Sequence, residues 1–371
     1  MKKFKAESGF TLVEFLVGSA VMLVVILGTL SLYVRSNKVS VEQQQYAEVQ
    51  HDVRSAMFFI ERDSRSAGVG LTAELAAHFV EGKDAYSPGP EQSDCITLFG
   101  NFDNPLDLRI EDYSGGSGGG AATAFLYQWS LEGAPYECPG FYENKVFLII
   151  STRCPGCFVW RFIGHNGVHG CGAGEEHFNM QPGFSELNPP GGLVDPGVCP
   201  AECWIDAIIT LGQIRKYWVD TTGNPGDYPD LVLTAAKGYT GVPNTLYLTT
   251  IADNGEMIHM ALAQDIENLQ FQYNGDMNND QLLDGFVEWN DAWTEVERAK
   301  IHQIRVWVLG RTPDAFTSLS GSPPGDIHLY RRPTVANSSM SAQDDRHKRF
   351  LMESTATVRN IALTIYNTGT R

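Results

Sequence analysis

Apolar residues run almost without interruption from Phe10 to Tyr33, broken by one charge at Glu14. As a helix at 1.5 Å per residue this stretch measures roughly 36 Å, enough to cross a bilayer core. The pattern then changes character. From Ser36 to Ala67 the apolar positions thin to a stripe, Tyr46, Val49, Val53, Met57 and Ile60, recurring at steps of three and four residues among Gln, Glu, Arg and Asp. No proline precedes Pro88, and Gly68 and Gly70 provide a stop. The pattern predicts one helix from Phe10 to Ala67. Its first part, 10–33, is apolar all round; its second part, 34–70, is amphipathic and built to pack on a sheet.

Beyond residue 70 the period falls to two. Cys95–Phe99 and Lys145–Thr152 read as strands, the latter as a buried one because Val146-Phe147-Leu148-Ile149-Ile150 is continuously apolar. Further strands are predicted at Ile205–Leu211, Ile214–Val219, Leu231–Ala235, Thr245–Thr250, Met257–Ala263, Asp265–Tyr273, Gln303–Thr312 and Thr355–Leu363, with a short helix at Glu295–Ile301. Residues 153–205 show little periodicity and read as an irregular, cysteine-rich insertion in an exported β-rich domain spanning 71–371. The expected fold class is α+β: a long N-terminal helix laid on a mainly antiparallel β domain.

Composition refines this picture. Thirty-seven glycines and 18 prolines in 371 residues favour turns and strands over a helical bundle. A net charge of −17 argues against a basic surface for nucleic acid or anionic lipid. Lys2, Lys3 and Lys5 precede the apolar run, which places the N-terminus in the cytoplasm and the bulk of the chain outside it. All seven cysteines, Cys95, Cys138, Cys154, Cys157, Cys171, Cys199 and Cys203, then face an oxidising compartment, where disulfides persist. Seven is odd, so at least one stays free or pairs outside the chain.

No Ala-x-Ala-like site follows the apolar core, as a secretory signal would require. Gly9 instead lies before it, so a cut after Gly9 keeps the helix on a mature chain starting at Phe10, with Glu14 as its fifth residue. A carboxylate in a membrane segment is costly and is usually kept for a partner. Gly9-Phe10-Thr11-Leu12-Val13-Glu14, with its basic leader of residues 1–9, resembles the processing site of type IV prepilins and type II secretion pseudopilins. The resemblance implies a peptidase cut between Gly9 and Phe10, N-methylation of Phe10, and an assembly role for Glu14. Arg62-Asp63-Ser64-Arg65-Ser66-Ala67-Gly68, Ile266–Tyr273, Ile304–Thr312, and Lys348-Arg349-Phe350 leading to Ala356–Asn360 are similar to the PilW family of minor type IV pilins.

That similarity covers roughly residues 1–70 and 264–362. It implies a membrane-inserted, leader-cleaved minor pilin that takes part in pilus assembly or initiation. Its partners would be other minor and major pilins, the prepilin peptidase and an inner-membrane assembly platform. It would sit in the inner membrane with its bulk in the periplasm, and then in a cell-surface pilus. The alternatives are a J-like minor pseudopilin of type II secretion, a filament-borne adhesin or metal-binding receptor using 153–205, and a membrane-anchored enzyme. No Gly-x-Ser-x-Gly, His-Glu-x-x-His or dinucleotide fingerprint is present, and no catalytic residue is assigned.

Two stretches carry candidate metal chemistry. Asp276, Asn278, Asp280 and Asp284 place oxygen side chains at relative positions 1, 3, 5 and 9 of a calcium-type loop, and Leu282 at position 7 can offer its carbonyl. Gln281 stands where such loops have glycine, and Val287 where they have a carboxylate. The competing reading is an Asx-rich turn. Cys154-Pro155-Gly156-Cys157, with His165, His169 and Cys171 beyond it, has zinc-like spacing, but the compartment favours disulfides over zinc.

Overall fold

The computed structural model describes residues 11–69, 73–102, 108–114, 122–127, 145–154, 157–163, 168–169, 177–180, 199–211, 213–251, 257–276, 278, 280, 282–315, 329–336, 338 and 344–358. Helix α1 spans Leu12–Ser66, within a residue or two of the expected limits. Thr11 caps its start, and the chain leaves it through Ala67 and Gly68, whose φ of +78° suits glycine.

The strands, in chain order, are β1 (Val80–Lys83), β2 (Cys95–Gly100), β3 (Leu108–Ser114), β4 (Ala122–Leu126), β5 (Lys145–Ile150), β6 (Phe158–Ile163), β7 (Val168–His169), β8 (His177–Met180) and β9 (Ile208–Thr210). Then come β10 (Gln213–Asp220), β11 (Thr245–Ile251), β12 (Met257–Ala263), β13 (Ile266–Gly275), β14 (Ile301–Arg311), β15 (Tyr330–Arg331), β16 (Asp344–Asp345) and β17 (Arg349–Thr357). A four-residue helix, α2, covers Glu295–Arg298. Among the described residues they form sheets of order β1-β2-β10-β11-β12, β13-β14-β17 and β6-β5-β9-β3-β4-β8-β7, with a small β15-β16 ladder. Every pairing is antiparallel.

The amphipathic half of α1 supplies one wall of the main core. Val49, Val53, Met57 and Ile60 are all buried, together with Leu269, Phe271 and Tyr273 of β13, Ile304, Val306 and Val308 of β14, and Ile96 and Leu98 of β2. Helix and sheet meet closely at Gly310, where a Cβ would lie 2.6 Å from Val53 and 2.7 Å from Val49. Only glycine admits that approach.

A second core lies in the seven-stranded sheet. Strand β5 belongs to both. Leu148 and Ile150 face the main core, whereas Phe147 and Ile149 join Leu108, Ile110, Phe178, Trp204 and Ile209 in the second. This two-sided burial is the physical reason for the unbroken apolar run noted above.

Several expectations change. Leu231–Ala235 is not a strand. It is a loop that plugs Leu231 into the cluster of Trp218, Tyr228, Tyr239 and Tyr247 and then turns at Ala235–Lys237. The strand expected at Ile205–Leu211 shrinks to β9, because Ile205 and Asp206 form a turn with Asp206 at φ +63°. The helix expected over Glu295–Ile301 is one capped turn, since Ile301 is already paired in β14. The last strand begins earlier than Thr355, at Arg349, to match the length of β14; residues 359–363 of that expectation lie outside the described residues. Residues 153–205 do carry disulfides, as expected, but they also contribute β6, β7 and β8.

Candidate functional site

The N-terminal site begins with Thr11, whose hydroxyl accepts the Glu14 amide at 3.3 Å while Glu14 Oε2 accepts the Thr11 amide at 3.0 Å and its hydroxyl at 2.9 Å. This capping box fixes the start of α1 just after the Gly9–Phe10 position. Gly9 and Phe10 themselves lie outside the described residues. Glu14 thus has a local partner that periodicity alone did not predict. From Leu12 to Tyr33 the large apolar side chains of α1 are exposed, and the helix is long and apolar enough to cross a membrane.

At its other end α1 is tied to the sheet by a buried charge. Asp63 is 1% exposed. Its Oδ2 accepts Arg215 Nη1 at 2.7 Å and the Tyr217 hydroxyl at 2.5 Å, and its Oδ1 accepts Arg62 Nε at 2.8 Å. The Arg215 guanidinium also lies 4.5 Å over the Phe102 ring. Burial, and then the Asp63 charge, push the Tyr217 phenol above its ordinary range. The stretch from Arg62 to Gly68 was singled out for its family resemblance, but not the anchoring role of Asp63. A signal was available: Asp63 sits three residues after Ile60 on the apolar stripe, where a lone acid needs a partner.

The cysteine-rich stretch is held by Cys154–Cys203 and Cys157–Cys199. The two members of the Cys-x-x-Cys motif therefore go to different partners and offer no thiolates to a metal. Cys95 is free and buried in β2, and burial pushes its thiol up to about 12. Cys138 and Cys171 lie outside the described residues, as does His165.

In the Asp276–Asp284 loop the side-chain oxygens mostly accept backbone N–H groups of the loop itself, and the Asp276, Asp280 and Asp284 carboxylates do not all lie within 4.8 Å of one another. Asp276 Oδ1 and Asn278 Oδ1 both accept the Asp280 amide, at 3.0 and 2.9 Å. Asp280 Oδ1 accepts the Leu282 amide at 2.8 Å, and Asn278 Nδ2 donates to Asp284 Oδ1 at 2.6 Å. Paired hydrogen bonds between Tyr273 and Val287 close the loop as a hairpin, though only β13 continues as a strand beyond them. The donor set is hard oxygen throughout, which suits calcium.

A further acidic cluster was not legible in the sequence. Asp84, Asp94 and Glu288 bring carboxylate oxygens within 4.8 Å of one another, the first two from the β1–β2 connection and the third from nearly 200 residues further on. Such a trio can hold a cation or share protons. Asp94 accepts backbone N–H bonds from Ala85 at 2.9 Å and Phe271 at 3.0 Å. Burial, with a hydrogen bond shared with Asp84, nevertheless pushes its carboxyl up to about 9. The sign follows directly. Between the unfolded value near 3.8 and about 9 the folded protein holds a proton that the unfolded chain has released, so stability falls as pH rises through that window. Urea unfolding at pH 5 and pH 8 should show lower stability at pH 8. Asp84→Asn, which removes the like charge and can donate to Asp94, should flatten the difference. An equal difference in parent and variant would show that this pair does not cause it.

Residues 217–360, somewhat under half of the chain, match the family model for type IV pilus-assembly protein W, PilW. No curated protein matches the chain. Among solved structures, the type IV-like pilin TTHA1219 from Thermus thermophilus aligns at 10% identity over 84% of this chain and 97% of that one, with a TM-score of 0.31, a likeness too weak to carry an argument. The PilW match runs from Tyr217 within β10 through β17, strands that pack against the amphipathic half of α1, and over those residues the chain is similar to PilW.

Proposed function

We propose that this chain is a minor type IV pilin: inserted in the inner membrane, cut after Gly9, and carried into a filament as a minor or initiating subunit. The observation that supports this reading is the division of α1. Its first half is apolar and exposed, its second half is the core of the β domain, and no break separates them. A helix built this way joins a membrane or a helical filament core to a folded head. N-terminal analysis of the membrane-extracted protein should give a mature chain starting at methylated Phe10. An N-terminus beyond Tyr33 would rule out the reading.

Glu14 is the docking group in this proposal, and its capping role makes a clean test available. Glu14→Gln preserves a capping box with Thr11 but removes the charge; Glu14→Ala removes both. Both variants should fold and be cut normally, and both should fall several-fold in sheared filaments relative to membranes. Normal incorporation of the Gln variant would show that capping, not charge, is what Glu14 supplies.

We also propose that the Asp276–Asp284 loop binds calcium through Asp276, Asn278, Asp280 and Asp284, with the Leu282 carbonyl as a further ligand. The hard-oxygen side chains at relative positions 1, 3, 5 and 9 support it. Calorimetry should show a calcium isotherm that weakens at least tenfold in Asp276→Ala and Asp280→Ala. No isotherm in the parent would leave an Asx-rich turn.

A further inference from the structure

Among the described residues, Asp84, Asp94 and Glu288 are the only set of acid, thiol or imidazole side chains that brings three ligand atoms within 4.8 Å of one another. The trio lies at a seam between sheets. Asp84 follows β1 and Asp94 precedes β2, at the point where Lys83 pairs with Cys95. Glu288 follows the Tyr273–Val287 bridge, which closes the hairpin that leaves β13. Asp94 already reaches across the seam. Its amide donates to the Leu269 carbonyl at 2.8 Å, and its Oδ2 accepts the Phe271 amide at 3.0 Å. The three acids thus stand where the β1-β2-β10-β11-β12 sheet meets the β13-β14-β17 sheet.

Two polar groups at this seam have room for a partner. Glu288 Oε1 accepts Gln272 Nε2 at 2.6 Å, but Oε2 is out of water and accepts no hydrogen bond. Tyr273 is 1% exposed, and no hydrogen bond holds its hydroxyl among the described residues. That hydroxyl is aimed at the acids. It lies against Gly82, two residues before Asp84, where a Cβ would sit 2.3 Å from it and 2.8 Å from the ring of Trp289, the residue after Glu288. The charges of Asp94, Glu288 and Asp84 all act on it. The neighbouring charge that acts on Asp94 and on Glu288 is itself an acid, Asp84. A buried acceptor and a buried hydroxyl left open beside mutually repelling carboxylates mark the place of a small cation and its water.

The spacing selects the cation. Calcium holds oxygen ligands at about 2.3–2.6 Å, so two ligands of one ion stand up to about 5 Å apart; magnesium, at about 2.1 Å, spans only about 4 Å. Calcium also takes about six to eight ligands, which leaves positions for water beyond three carboxylates. A water on the ion can donate to the Tyr273 oxygen. Asp84 is exposed and gives the ion a way in from solvent.

We infer that Asp84, Asp94 and Glu288 form a calcium site separate from the Asp276–Asp284 loop, and that the bound ion clamps the two sheets together. The site is a property of the folded head and does not depend on whether the chain enters a filament.

The test uses full-length protein in detergent, stripped with a chelator and carrying Asp276→Ala and Asp280→Ala so that the loop contributes nothing. Calcium chloride is the probe. Calorimetry should show one equivalent bound, and the ion should raise the urea midpoint. Glu288→Gln keeps an oxygen for the Gln272 hydrogen bond, and Asp84→Asn alters only the exposed rim. Each should weaken calcium binding roughly tenfold, with the circular dichroism of the calcium-free protein unchanged. Terbium in place of calcium should luminesce on tryptophan excitation, because Trp289 adjoins Glu288, and calcium should abolish that emission. No uptake by the loop variant, or equal affinity with and without the Glu288 and Asp84 substitutions, would overturn the site. Binding with no rise in the urea midpoint would overturn the clamp.

Discussion

Asp63→Ala destabilises the folded protein by about 3–5 kcal/mol, the cost of breaking a buried ion pair from one side. The acid itself is the smaller part of that loss. Without it Arg215, which is 9% exposed, loses the carboxylate that accepts its Nη1, and the Tyr217 hydroxyl loses its acceptor. Arg62, nearly half exposed, turns to water at little cost. The consequence is also directional. Asp63 joins the end of α1 to β10, so its loss loosens the head from the helix before it disturbs the outer sheets. Urea unfolding of full-length protein in detergent, followed by tryptophan fluorescence, measures the change. A loss under about 1 kcal/mol would mean that Arg215 finds another partner and that the anchor is dispensable. Replacing Asp63 and Arg215 together with apolar residues should cost less than Asp63→Ala alone, because no charge is then stranded.

Removing the two disulfides seen among the described residues, by serine at Cys154, Cys203, Cys157 and Cys199, costs on the order of 5 kcal/mol, whereas removing Cys154–Cys203 alone costs about 2 kcal/mol. The inequality follows from nesting. The bridges span 49 and 42 residues, one just inside the other. With Cys157–Cys199 intact the long loop is still closed, and the outer bridge adds only a short ring. With both gone the unfolded chain regains the entropy of the whole loop. The loss falls on the second core, where Cys157 and Cys199 pack with Phe147, Ile149, Trp204 and Ile209. Limited proteolysis should therefore cut within 153–205 in the four-serine variant and spare the β13-β14-β17 sheet. Equal losses for one bridge and for two would contradict the nested closure. Thiol alkylation of denatured, unreduced parent protein should label Cys95 and leave these four untouched.

How much of this was legible in advance depends on how local the cause is. Helix α1 was legible almost to the residue. Its two periods, its cap at Thr11 and its stop at Gly68 are properties of neighbours in sequence. Strands β2, β5 and β10 to β14 were legible because each alternates or runs apolar over five or more positions, and the doubly apolar run of β5 foretold burial on both faces. The oxygen spacing of Asp276 to Asp284 was legible for the same reason.

Tertiary structure decided the rest. Strands β1, β3, β4, β7 and β8 are short or polar, and they are strands because a partner edge satisfies their backbone, which no local pattern records. Strand β6 (Phe158–Ile163), by contrast, does carry an apolar run that could have been read locally. Leu231 to Ala235 looked like a strand because its leucines are apolar, yet they fill an aromatic cluster from a loop. Which cysteines pair depended on Cα separations of 5.4 and 5.9 Å that only folding creates. The approach of Glu288 to Asp84 and Asp94, and the partners of Asp63, arise where chain segments distant in sequence meet out of water. Sequence by itself determined where this chain is helical, apolar and acidic, because those are sums over adjacent residues. The fold alone decided which charges are buried together, because desolvation and Coulomb energy depend on distance in space.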